Sequence, residues 1–125
     1  MNVVDLVREW LSSEGYRSEI DSDGDLHFKV EGVSFYCTKN GGDDQYFRII
    51  MPNIYTVENN RVKVLEAVNK ISKEYKVLKA FLVEDRLWLS IEMFIDSTPE
   101  VGDFMPRCIS ILQGGLKDIA QEILG

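Results

Sequence analysis

The chain has 125 residues and a net charge of −7, with 45% hydrophobic and 28% charged side chains. That length supports a single domain, residues 1–125, whose core needs no metal or disulfide staple. The acidic excess argues against nucleic acid, whose phosphates are met by clustered Lys and Arg, and no apolar run reaches the roughly 18 residues of a membrane helix, so no membrane partner is expected.

The opening, MNVVDLVREW, carries Asp5 and Glu9 among its apolar residues and lacks a basic leader, so a cytoplasmic protein is expected. Asn2 can cap a helix in which Val3, Leu6, Val7, Trp10 and Leu11 recur at three-to-four spacing, with Gly15 just past its end. Residues 16–21 then alternate, Tyr16, Ser18 and Ile20 against Arg17, Glu19 and Asp21. Leu26, Phe28 and Val30 alternate with His27, Lys29 and Glu31, and Val33, Phe35 and Cys37 repeat the pattern after Gly32. Three strands joined by tight turns make a meander.

NGGDD, residues 40–44, reads as a loop, and QYFRIIM after it as a fourth strand that Pro52 helps to end. Thr56 or Asn59 is expected to start a second helix, with Val62, Leu65, Ala67, Val68, Ile71 and Tyr75 as its buried stripe. Its Lys63, Glu66, Lys70, Lys73 and Glu74 read as a solvated mixed-charge face. VLKAFLV and RLWLSIEMFI flank the short turn Glu84–Asp85 and form a hairpin. In its second strand Leu87, Leu89, Ile91, Met93 and Ile95 share one face, while Trp88 and Phe94 lie on the other with Ser90 and Glu92 between them.

Thr98 as cap, Pro99 at the first helical position and Glu100 in the first turn signal a last helix. Pro106 complicates it: either the helix bends there, or residues 99–103 form a separate turn and Asp103 caps the main helix. Gly114 and Gly115 weaken it further. The fold class is therefore α+β: helix, antiparallel β-meander, helix, β-hairpin and C-terminal helix, with the helices packed on one antiparallel sheet.

Chemistry is sparse. His27 is the only histidine, and its place on the polar parity of a strand reads as a surface position. Cys37 and Cys108 lie far apart in apolar surroundings and read as core residues, which leaves transition metals short of ligands. QGGLK lacks the glycine spacing of a phosphate loop. No catalytic residue, metal ligand or cofactor is assigned, and the chain is not expected to be an enzyme. The aromatic residues carry more information. Tyr36, Trp88 and Phe94 occupy the non-core parity of their strands, so either the curling sheet and its loops bury them or they form an interface with a second copy or a partner polypeptide.

EIDSDGD, residues 19–25, offers the competing reading. It places acids at positions one, three, five and seven of a calcium loop with glycine at six, but position twelve is Val30 where a bidentate glutamate is needed. Flanked by alternating segments, and containing the pair Asp23-Gly24, residues 22–25 are read as the first hairpin turn.

The order of elements, together with the last segment TPEVGDFMPRCISILQGGL from Thr98 to Leu116, resembles the YbjN-like family and the type III secretion chaperones. The resemblance spans the whole chain as topology. It implies a cytoplasmic, bacterial, non-catalytic chaperone-like module that binds other polypeptides or regulates, acting as a homodimer; a small-ligand or calcium sensor is the alternative. No catalytic residue comes with it.

Overall fold

The computed structural model of the chain describes residues 2–125. Asn2 caps α1 (Val3–Ser13) as its spacing predicts, its Oδ1 accepting the Asp5 backbone N–H at 3.0 Å. Val3, Val4, Val7 and Leu11 are buried, and Gly15 leaves the helix at φ +86°. The chain then enters a six-stranded antiparallel sheet of β1 (Ser18–Ile20), β2 (Leu26–Val30), β3 (Val33–Cys37), β4 (Tyr46–Thr56), β5 (Leu78–Val83) and β6 (Arg86–Phe94), in the order β1-β2-β3-β4-β6-β5.

The first hairpin turn differs in detail from the two-residue form expected at Asp23-Gly24. Asp21 N–H donates to the Asp25 carbonyl at 2.9 Å, which closes a three-residue loop, and Gly24 is the one position in it with positive φ. Three-residue hairpins place glycine in just this left-handed position. The tight turn between β2 and β3 puts both Glu31 and Gly32 at positive φ, as a two-residue connection of right-twisted strands requires.

Pro52 does not end the fourth strand. β4 runs on to Thr56 because the proline falls in a bulge: Met51 pairs with Leu89 and Tyr55 with Leu87, so Pro52, Asn53 and Ile54 together oppose Trp88. Asn53 takes φ +54°, and its Oδ1 accepts the Trp88 indole N–H at 3.2 Å. A residue without an N–H is tolerated where the ladder is interrupted.

The second helix, α2 (Arg61–Glu74), begins after Asn60 rather than at Thr56 or Asn59; Asn59 is held at φ +59° by the turn before it. Its buried residues are Val64, Ala67 and Ile71. Val62 and Leu65 point outward, 71% and 46% exposed, so the stripe expected for this helix is rotated. The cause is tertiary, since α2 lies at the end of the sheet against β5 and beside α3 (Met105–Leu124), contacts that only a narrow face can satisfy.

The second of the two readings at Pro106 holds in outline. Residues Val101–Asp103 form a separate 3-10 turn, and α3 starts at Met105 with the proline in its first turn, where a missing N–H leaves nothing unpaired. Thr98 caps no helix, and the residue at the cap of α3 is Phe104 rather than Asp103. The glycine pair does not interrupt α3. The core lies between the three helices and one sheet face, joining Val7 and Leu11 to Phe28, Phe35, Phe47, Met51, Leu89, Ile91 and Leu112.

Candidate binding surfaces

The second face of the sheet carries no helix among the described residues, and it receives every strand side chain of the opposite parity. Strand pairing sets His27, Tyr36, Ile50, Ser90 and Lys79 in one row across five strands, with Arg48 opposite Glu92, Phe81 opposite Trp88 and Tyr46 opposite Phe94. All three candidate interface residues, Tyr36, Trp88 and Phe94, lie on this face. They do not form one cluster: Trp88 and Phe94 are at opposite ends of β6, roughly 20 Å apart at strand rise, and Tyr36 is two strands away.

Each is held differently. Tyr36 stacks on His27 with ring centroids 4.7 Å apart. Trp88 is half-buried, tilted against Phe81 at 5.9 Å and tied to Asn53 through its indole N–H. Phe94 is 86% exposed. Between them runs an ionic strip in which Glu92 takes Lys79 Nζ at 2.9 Å, the Tyr46 hydroxyl at 2.8 Å and, at 3.9 Å, Arg48. The Lys79 hydrogen bond, against some opposition from burial, pulls the Glu92 carboxyl below its ordinary value. Burial beside Glu92 pushes the Tyr46 phenol up.

Two buried polar atoms of this face, Arg48 Nε and Ser90 Oγ, have no hydrogen-bond partner among the described residues. Ser90 is 1% exposed although it points away from the helices. A buried donor or acceptor with no partner carries a desolvation penalty of about 1–3 kcal/mol. No residue type in the sequence signals this pair, because each becomes notable only once the strand register seats it mid-sheet.

His27 is less exposed than its surface reading implied. Its Nε2 meets Ser34 Oγ at 2.9 Å, and its Nδ1 lies 3.5 Å from Glu19 Oε1. Serine, imidazole and carboxylate thus stand in a row, but 3.5 Å exceeds a good hydrogen bond and the Glu19 side chain is 77% exposed, so nothing fixes the imidazole as a triad carboxylate does. The buried thiols offer no nucleophile either. Burial pushes Cys37 up to about 12 and Cys108 up to about 11, far from the range of a reactive thiolate.

Asp21, Asp23 and Asp25 each place a carboxylate oxygen within 4.8 Å of the others. Asp21 Oδ1 already accepts the backbone N–H groups of Asp23 and Asp25, and Asp25 Oδ1 accepts that of Lys39 at 2.9 Å. The cluster therefore ties the first hairpin to the loop that follows β3.

The sheet is thus open on one face and backed by helices on the other among the described residues. Residues 2–123 match the family model of the T3SS (YopN, CesT) and YbjN peptide-binding chaperones, TY-Chap1. The chain belongs to this family. Among solved structures, YbjN from E. coli superposes with a TM-score of 0.60 at 17% identity, covering 99% of this chain and 93% of that one. A protein from Methanothermobacter thermautotrophicus gives 0.61 at 12% identity, covering 95% and 97%. At such identities the likeness is one of fold, the α+β open sheet read from the sequence. A search of curated proteins returns no match. No described helix is long and apolar enough to cross a membrane.

Proposed function

We propose that this TY-Chap1 chain is a non-catalytic polypeptide-binding module that works as a homodimer, with the helix-free sheet face as the contact between copies. One observation carries the reading: Phe94 stands 86% exposed on the helix-free sheet face, with half-buried Trp88 at the other end of the same strand. A second copy would cover Phe94 and Trp88, residue types enriched in interface cores. Tyr36 and the Lys79–Glu92–Arg48 strip fit the mixed polar composition of such a contact. Membership of a family of peptide-binding chaperones supports the polypeptide-binding part of this reading.

Light scattering on the eluting size-exclusion peak tests the dimer. The wild type is expected at twice the chain mass, and the double variant Trp88→Ala/Phe94→Ser at the single mass with an unchanged circular dichroism spectrum. A wild type that stays monomeric at high concentration removes the sheet-face dimer.

The competing reading, a calcium sensor at residues 19–25, is supported by the three carboxylates within 4.8 Å. Isothermal titration at low salt separates the two, since saturable calcium binding below millimolar concentration favours the sensor.

A further inference from the structure

Residues 1–60 hold eleven acidic and only five basic side chains. Three of those five, Arg8, Arg17 and Lys29, line one cleft of about 800 Å³ where α1 meets β1 and β2, with Ser12, Tyr16 and His27 among its other walls. All three cations are exposed, and none forms an ion pair among the described residues. Glu19, the one acid on the wall, faces the His27 imidazole. Of the four cations in residues 1–60 that form no ion pair among the described residues, three thus meet in a single hollow, Lys39 being the fourth. Beside that hollow runs β1, an edge strand of three residues with no strand hydrogen-bonded on its outer side among the described residues.

We propose that this cleft receives an acidic, extended segment of a partner polypeptide. The inference rests on the polypeptide-binding reading above; the cleft lies at the β1 edge and shares His27, but neither Trp88 nor Phe94, with the helix-free sheet face. An extended chain repeats its side-chain direction every second residue, roughly 6.8 Å, so carboxylates in alternation can reach successive cations while the backbone follows the exposed edge. Charge complementarity selects the occupant, because three cations within an acidic field attract carboxylates at short range, while screening limits the repulsion from the rest of the chain to about 10 Å at 0.1 M salt. Nucleic acid fits less well: stable complexes commonly engage on the order of 6–10 phosphates, more than this cleft has cations to meet.

The test is fluorescence anisotropy with a labelled peptide of alternating Thr and Glu, and with its Thr-Lys counterpart. The Thr-Glu peptide is expected to bind the wild type, with affinity falling as salt rises from 50 to 300 mM; net repulsion alone would give the opposite salt dependence. Arg17→Glu/Lys29→Glu is expected to weaken binding about ten-fold or more. Lys63→Glu/Lys73→Glu, which changes net charge equally on exposed positions of α2, is expected to leave it within about two-fold. Equal weakening by the two double variants, or no binding of the Thr-Glu peptide, overturns the proposal. So does displacement by inorganic phosphate or a short single-stranded DNA at concentrations below those of unlabelled peptide, which would make the cleft a phosphate site. A wild type that binds the Thr-Lys peptide alone retains polypeptide binding and loses this cleft. Light scattering on the same variants separates a failure of the cleft from a failure of the dimer.

Discussion

Gly115 on α3 lies so close to Leu78 on β5 that a β-carbon built on the glycine would sit 2.5 Å from Leu78 Cδ2. Both residues are buried, so the leucine has little room to withdraw. An alanine here gains up to about 1 kcal/mol of helix propensity and meets an overpacking penalty of about 1–3 kcal/mol. Gly115→Ala is therefore expected to be net destabilising by about 1 kcal/mol, a drop of a few degrees in thermal midpoint. Gly115→Ala/Leu78→Ala should be more stable than the sum of its single variants predicts, because the added methyl fills space that the leucine vacates. Urea denaturation of the four chains measures the coupling, and strict additivity would show that no close contact exists.

That glycine illustrates what the sequence could and could not reveal. Capping by Asn2, the alternation of Leu26, Phe28 and Val30, and the hairpin turn at Glu84–Asp85 are local features, and local chemistry made them legible. In α2 the sequence contains two overlapping apolar stripes, one through Val62 and Leu65 and one through Val64, Ala67 and Ile71, and the choice is made by β5 and α3. Pro52 could be placed only with its bulge partner Trp88 known, thirty-odd residues away. The cleft was hidden for the same reason, since Arg8, Arg17 and Lys29 are brought together by the packing of α1 and a strand register. Tyr36, Trp88 and Phe94 were legible as non-core parity, whereas their separation across the sheet was not.

The two thiols should be silent in the folded chain. Burial disfavours the thiolate of Cys37, raised to about 12, and of Cys108, raised to about 11. At pH 8 a disulfide reagent is expected to titrate no thiol in the native protein and two in denaturant. The same shifts set an alkaline limit on stability. The unfolded chain sheds these protons near 9.0 while the folded chain retains them, so the contribution is complete below pH 9 and declines as pH climbs toward about 12. Tyr75, raised to about 12 first by its hydrogen bond to Asp118, acts in the same direction, so the Cys37 share is read as the pH 8 to 10 change in urea midpoint that Cys37→Ala abolishes in a Tyr75→Phe background.

Glu92 contributes on the acid side. Its pKa is lowered in the folded chain, chiefly by Lys79, so it stabilises above the unfolded carboxyl value of 4.5 and loses that contribution as pH falls through its folded value. The side chain is 29% exposed, and solvent screening holds the expected effect to about 1 kcal/mol or less. Glu92→Gln should accordingly be slightly less stable than wild type at pH 7, with a smaller gap at pH 3. Paired urea curves at the two pH values check this; a gap of equal size at both would assign the loss to packing rather than charge.

The rotation of α2 gives the sharpest contrast between neighbouring residues. Ile71 is 1% exposed in the core, and truncation to alanine there removes buried apolar volume and leaves a cavity. Ile71→Ala is expected to destabilise by about 2–5 kcal/mol. Val62 belongs to the other stripe and is 71% exposed, so Val62→Ala removes almost no buried area and should change stability by less than about 0.5 kcal/mol. Equal losses at the two positions would mean that the helix is seated on the face through Val62 and Leu65 instead. Because α2 flanks α3, that seating would also break the Lys70–Glu122 pair, now 2.6 Å apart. Comparing the salt dependence of Lys70→Ala with that of wild type therefore tests the same rotation independently.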